Sequence, residues 1–591
     1  MKTPRIDLRR RLAALAIDPY LVLVLLFCLF AVLPLAGPQY FFDAHDARNT
    51  VFFLTEFDAA LRDGVLYPGW ATDQALGYGY PTFVLIPPLA YYVAEGFHLL
   101  GATKVAAVKW TFALATIGAG LAMYFYARQV MGRRRGFLAA ILYVYIPYHL
   151  VDVYVRAALA EYCAFVWMPL ALLAFHRLVQ RPSARRMGLA ALTLGALWLT
   201  HNPTGLTFTL LLAAYVLYRL LADPLRWLQR LRRAGAALAG ALLGLGIAAA
   251  LLLPNILERS YINQEQWVRA GYDYALHFLQ AAHLFSPAWG YAPGTPGTEG
   301  VMSFQLGAVA LILAAVASLA ALRRQARPGQ ERGMILFFAV ASLLVILFML
   351  PISAPLWEQL PIAALLQFPW RLLALTSVTL SILAGFSVGK LAPPATSLHA
   401  PTLILALVAV LASYPYTLPQ YTPTPASAEG PLLSIEFELE YEDMRGMTAW
   451  TEVMPPDSPL VAQYLAGDPL VTAEALAPGA SVEMIRAGGA SDELWVRSES
   501  GTTLRFYTYY FPGWRVYVDG ERLPQEALRP DPPYGLLTVE IPPGEHHVLL
   551  RWGDTPLRLG AKAVTLASLL LALALVVSPY LSRLALLGRR P

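Results

Sequence analysis

MKTPRIDLRRRLAALAIDPYLVLVLLFCLFAVLPLA, Met1 to Ala36, runs from a basic start into a long apolar stretch. A signal peptide has the same order, but no small-residue cleavage site follows the apolar part. The segment is therefore expected to be retained as a first membrane helix. Arg9, Arg10 and Arg11 precede it, and FFDAHDARNT, Phe41 to Thr50, follows it. Cations before an apolar run and acids after it set an orientation, because cytoplasmic loops collect Lys and Arg.

The same pattern recurs along the chain. A span needs about 20 apolar residues, and further segments qualify near 103–128, 137–151, 160–178, 187–203, 205–222, 234–253, 303–322, 334–351, 371–389, 400–415 and 558–581. Arg133 to Arg135, Arg185 and Arg186, the arginines of 226–233, those of 323–332, and Arg583, Arg589 and Arg590 all fall on one side if twelve spans alternate. The expectation is a polytopic α-helical membrane protein of about 12 transmembrane helices with both termini cytoplasmic. Composition agrees. The 591 residues are 57% hydrophobic and 14% charged, against about 25% charged in soluble domains. A net charge of +5 points to no nucleic-acid partner. Cys28 and Cys163 sit inside apolar runs and can build no disulfide framework. No matched pair of broken helices of the transporter kind is expected, and no internal repeat is present.

Three long segments belong to the other side: 37–102, 254–301 and 417–556. In the first, Phe53, Phe57, Ala60 and Leu61 share one helical face, which predicts an amphipathic helix lying in the membrane interface. In the third, LWVRSES, TLRFYTYY, WRVYVDG, LLTVEI and HHVLLRW are short β-rich runs between Gly and Pro turns, with the hairpin pair Asp519-Gly520. This predicts an extracytoplasmic β-sandwich over 417–556, inserted between a membrane module over 1–416 and a last helix and cytoplasmic tail over 557–591.

Ionisable residues at the edges of spans are the candidate site. Asp46, with Asp43 and His45, either caps the helix that follows or holds a carboxylate ready to take a proton or bind a metal. Arg156 and Arg371 are cations on the side where arginine is rare. They either form local ion pairs or bind a lipid phosphate through the guanidinium fork. Glu161, His201, Asn202, Gln367 and Trp370 stand at the same depth, with Tyr78 and Tyr80 in the Gly-rich stretch GYGYP. Asp152 is expected to be dispensable. A carboxylate beside phosphate-binding arginines is what glycosyl transfer from a lipid phosphate requires, one activating a hydroxyl and the others stabilising the leaving phosphate.

These stretches resemble a family of bacterial membrane proteins described as 6-pyruvoyl-tetrahydropterin-synthase-related. The resemblance rests on His45-Asp46, Gly64 to Trp70, Gly77 to Pro81, VRAALAE, LTHNPTGL, LLQFPWR and YYFPGWRVYVDG, in that order. Gly69 departs from it, standing where the family usually has Arg before the Trp. The family in turn looks like the GT-C superfamily of polyprenyl-phosphate-dependent glycosyltransferases. The resemblance implies a GT-C-like inverting glycosyltransferase of the plasma membrane, with Asp46 as base, aided by His45, and Asp43 as second choice. It further implies a polyprenyl-phosphate-linked sugar as donor, its phosphate on Arg156 and Arg371, and a glycan, lipid or protein acceptor. Some GT-C enzymes use a divalent metal (Mg or Mn), for which Asp46 and His45 are the candidate ligands. The rival readings are a flippase or transporter of lipid-linked sugars and a non-catalytic envelope scaffold.

Overall fold

The computed structural model describes residues 18–264, 270–323, 329–360, 366–389 and 398–587. A helix lies in each of the twelve apolar segments. Six are long and apolar enough to cross a membrane unaided, or eight if each of two bent pairs is one span. Shorter apolar helices occupy Pro19–Ala31, Ala308–Leu322 and Pro369–Gly385. The bent pairs correct the expectation of unbroken spans. Arg133–Tyr145 and Pro147–Tyr154 meet at 41°, and Trp227–Ile247 and Ala249–Leu257 at 74°. The first break has a local cause. Pro147 opens the second helix after an extended Ile146, and a proline disfavours helical backbone in the residue before it.

One end of the helices carries the arginines, paired with acids. Asp18 caps Pro19–Ala31 by accepting from the Tyr20 amide at 3.2 Å, and it also meets Arg128 at 3.0 Å and Arg133 at 3.4 Å. Arg135 meets Glu331 at 2.9 Å, while Asp223 holds Arg219 at 3.0 Å, Arg233 at 3.4 Å and the Gln330 amide at 3.1 Å. These bonds bring together clusters that are far apart in sequence. Arg9 to Arg11, Arg324, Arg327, Arg589, Arg590 and the side chain of Arg583 lie outside the described residues.

At the other end, the expected interfacial helix is Ala47–Arg62. It is enclosed by protein instead. Phe57 packs 5.2 Å from Phe83, Phe52 lies 5.5 Å from Phe437, and Glu56 is only 1% exposed. Glu56, on the helix's polar side, accepts from the Asp73 amide at 3.2 Å.

Strands occupy only 473–552 of the segment expected to be β-structured. The part before them holds the helices Leu432–Glu440 and Pro459–Ala466. The strands are β1 (Ala473–Ala475), β2 (Ser481–Ala487), β3 (Ser491–Ser498), β4 (Thr502–Tyr509), β5 (Trp514–Val518), β6 (Glu521–Arg522), β7 (Arg529–Asp531), β8 (Leu536–Ile541) and β9 (Gly544–Trp552). They form two antiparallel sheets, ordered β1-β4-β8-β7 and β2-β3-β9-β5-β6. Asp519 and Gly520 turn β5 into β6 with φ of 51° and 84°, the left-handed pair that a tight hairpin demands. Leu494, Val496, Leu504, Phe506, Val516, Val539 and Val548 from both sheets share one core. Tyr509 and Trp514 are buried in it.

Trp70, from the first long loop, plugs that core, 5.1 Å from Trp552 and 5.4 Å from Trp514. Gly79, at φ 75°, lies so close under the Trp70 indole that any side chain there would collide with it.

Candidate active site

FFDAHDARNT and VYVRAALAE meet backbone to backbone. The Asp46 amide donates to the Arg156 carbonyl at 2.7 Å, and the His45 amide to that of Val155 at 3.3 Å. Asp46 occupies the N-cap position of Ala47–Arg62, yet its carboxylate makes no cap hydrogen bond. It faces Arg156 Nη2 at 3.9 Å instead and is 43% exposed. Capping therefore does not explain this acid. Thr50 Oγ1 donates to the Ala157 carbonyl at 3.1 Å, holding the turn after Arg156, where Ala157 has φ 53°.

Arg156 is buried among carboxylates. Its Nη1 donates to Glu161 at 2.8 Å and to Asp152, and reaches the Tyr148 hydroxyl oxygen at 3.3 Å. Tyr148 in turn donates to Glu161 at 2.7 Å, and the guanidinium stacks 4.9 Å over Trp370. Arg371 shares Glu161 more loosely, at 3.8 Å. Its Nη1 donates to Gln367 Oε1 and the Leu366 carbonyl, both at 3.1 Å. Gln367 has φ 57°, so each arginine stands beside a non-glycine residue in left-handed backbone, a strain common at functional sites.

Three carboxyls thus share two guanidiniums, and the chamber has no surplus positive charge. Among the described residues, buried Arg371 Nε and the Trp370 indole N–H have no hydrogen-bond acceptor. The two arginines differ in their company: Arg156 meets Glu161 and Asp152 directly, whereas Arg371 faces Glu161 only at 3.8 Å, through Nε.

His45 Nε2 lies 2.9 Å from the Tyr291 carbonyl, so this nitrogen carries the proton. Burial lowers the His45 pKa against the pull of Asp46, leaving Nδ1 as an acceptor. His201 Nδ1 lies 2.8 Å from Thr204 Oγ1. Among the described residues, no group of three or more His, Cys, Asp or Glu side chains could hold a metal ion.

Four expected residues lie elsewhere. Asp43 pairs with Arg48 at 3.5 Å, and Arg48 with Glu440 at 2.5 Å, drawing both toward Leu432–Glu440. Asn202 donates to the Leu85 carbonyl at 3.3 Å and fastens a loop. Left-handed backbone at Ala75, Leu76, Gly77 and Gly79 turns the chain away from the chamber. Tyr78 therefore packs 5.6 Å from Tyr509, and Tyr80 packs against Gly446. Conversely, Tyr148 belongs to the chamber, and so does Asp152, which was expected to be dispensable but is a direct partner of Arg156. Their spacing from Arg156, four and eight residues back in YHLVDVYVR, is the helical signal that marks them.

A groove of about 250 Å³ adjoins the chamber, lined by Ile146, Pro147, Phe285, Gly307, Ser413 and Tyr416. Pro147 precedes Tyr148, and Phe304, beside the groove residue Gln305, packs 5.9 Å from Trp370.

A profile of the 6-pyruvoyl-tetrahydropterin synthase related domain, a membrane protein family, matches residues 84–418, more than half of the chain. The chain belongs to this family. No curated protein matches it. Among solved structures it is similar to the arabinofuranosyltransferase AftD from Mycobacteria, at 15% identity and a TM-score of 0.41, over 68% of this chain and 26% of that one. It is also similar to the Archaeoglobus fulgidus oligosaccharyltransferase in the apo form, at 14% identity and a TM-score of 0.37, over 68% of this chain and 55% of that one. The oligosaccharyltransferase AglB of the same organism, in complex with an inhibitory peptide and a dolichol-phosphate, gives 14% identity and a TM-score of 0.36, over 71% and 55%. This family member spans about a quarter of the first and about half of the other two. At such scores, none of these likenesses bears on what it does.

Proposed function

We propose that this membrane protein is an inverting glycosyltransferase that moves a sugar from a polyprenyl phosphate to an acceptor hydroxyl on the outer face of the plasma membrane. In this reading the chain makes twelve spans with both termini cytoplasmic, and the sheets form an extracytoplasmic sandwich. The observation that carries the proposal is an uncapped, half-exposed carboxylate facing Arg156, in one chamber with the Arg371 Nε–H and the Trp370 indole N–H, which among the described residues lack a hydrogen-bond acceptor.

The chemistry follows from that pairing. Asp46 accepts the proton of the acceptor hydroxyl as its oxygen attacks the anomeric carbon from the face opposite the phosphate. The bond from that carbon to the phosphate oxygen breaks, and the negative charge arriving on the phosphate meets Arg371 and Trp370. Glu161 and Asp152 hold Arg156 as the fixed wall against which Asp46 is set. The prenyl chain lies in the apolar groove beside Pro147, and a glycan, lipid or protein offers the hydroxyl. No step needs a metal.

The test uses the purified chain in lipid nanodiscs with a radiolabelled polyprenyl-phosphate sugar and a panel of acceptors. A new glycosidic bond that disappears in Arg371→Gln supports the proposal. Movement of label across liposomes without a new bond would assign the chain as a flippase or transporter instead. If neither occurs and envelope proteins co-purify, a scaffold is the remaining reading.

A further inference from the structure

Another buried arginine lies outside the chamber. Arg558 stands in the first turn of the last helix, Pro556–Leu587, and is 4% exposed. Its Nε donates to Glu258 at 2.7 Å, and its guanidinium stacks 5.1 Å from Trp552 and 5.3 Å from Phe511. Both Nη atoms are buried and, among the described residues, have no hydrogen-bond acceptor. Arginine carries five N–H donors, and unmade buried bonds to a charged group are costly.

These donors line a narrow cleft between the first long loop, at Tyr67 and Gly69, and the end of β9, at Trp552. Lys562 lies on the same helix face one turn on, 5.0 Å above the Tyr67 ring and 2.7 Å from Asp554. Gly69 keeps the cleft open, since a Cβ there would approach Trp552 Nε1 to 2.8 Å. Two cations in the first turns of a helix oppose its dipole, which favours anions there. Glu258 and Asp554 each answer one cation from the side, leaving the two buried Nη groups of Arg558 without an acceptor among the described residues.

We infer that this cleft binds a phosphate oxyanion, inserted by one oxygen between Arg558 and Lys562. The cleft sits where the last apolar helix begins, the depth at which lipid phosphates lie beside a spanning helix. A phospholipid headgroup and free phosphate offer the same oxygen chemistry, and the experiment separates them. The inference does not depend on glycosyl transfer.

The full chain is delipidated in detergent, and binding of dihexanoyl phosphatidylglycerol and of inorganic phosphate is measured by native mass spectrometry. The wild type is expected to bind one phosphatidylglycerol that Lys562→Gln and Arg558→Gln each weaken about tenfold. Arg558→Gln also loses the Glu258 contact, so Lys562→Gln, at a partly exposed position, guards against misreading an unfolded protein. Displacement of the lipid by inorganic phosphate supports the oxyanion site and makes solution phosphate a sufficient ligand. No displacement makes the lipid the ligand. Binding of neither probe to the wild type, or equal binding of both to all three proteins, overturns the inference.

Discussion

Arg156 and Arg558 are alike in burial and in the aromatic ring each guanidinium covers, yet their company differs. Arg156 meets Asp152, Glu161 and, more loosely, Asp46. Among the described residues, Arg558 pairs with Glu258 alone. Burial makes an unpaired charge expensive, so the number of carboxylates around each arginine decides its role. On the proposals above, a guanidinium saturated with acids serves as a wall and one short of them as a receptor. Arg371 stands between the two, with Glu161 only at 3.8 Å.

The sharpest break of this comparison is to remove an acid from the saturated site. Glu161→Gln takes away the carboxylate that both chamber arginines share, and a loss of about 3–5 kcal/mol in unfolding free energy is expected. Denaturant unfolding in a defined detergent measures it, and a loss below about 1 kcal/mol would mean Asp152 alone suffices.

Acids short of cations give the opposite test. Glu438 accepts from the Ala75 and Leu76 amides at 2.9 and 2.7 Å, and burial raises its pKa to about 7. Burial also raises Glu56 and Asp73. Groups raised in the folded state stabilise fully below their ordinary pKa and lose that contribution as pH climbs through the raised value. The chain should therefore be more stable at pH 5 than at pH 8, by about 3 kcal/mol from Glu438 alone. Thermal unfolding across that window checks the sign, and rising stability with pH would refute it. The smallest effect is expected of Tyr148→Phe, which removes the hydroxyl bridging Arg156 and Glu161 and should cost about 1 kcal/mol.

Charge and period made part of this legible in the sequence. Arginine clusters marked one end of the helices, and Asp519-Gly520 announced its hairpin. The chamber's members came from reading charged residues at span edges, which located Asp46, Arg156, Glu161 and Arg371 but not which of them paired. Arg156 pairs within its own segment, with Asp152 and Glu161 four and five residues away, whereas its contacts with Asp46 and Trp370, and that of Arg371 with Glu161, join segments over a hundred residues apart, which the sequence does not show. Tyr78 and Tyr80 misled because left-handed backbone beside them reverses the chain, and composition alone does not fix that turn. The helix Ala47–Arg62 misled because an apolar face facing protein reads the same as one facing lipid.

The central claim, that Asp46 is held free to take a proton while Asp43 is tied to Arg48, meets its most direct test in sugar transfer by two variants. With a radiolabelled polyprenyl-phosphate sugar and a working acceptor, Asp46→Asn should lose transfer by about 100-fold or more while remaining folded. Asp43→Asn should stay within about threefold of wild type, since an exposed ion pair contributes little. Transfer that survives in Asp46→Asn and fails in Asp43→Asn would contradict the account.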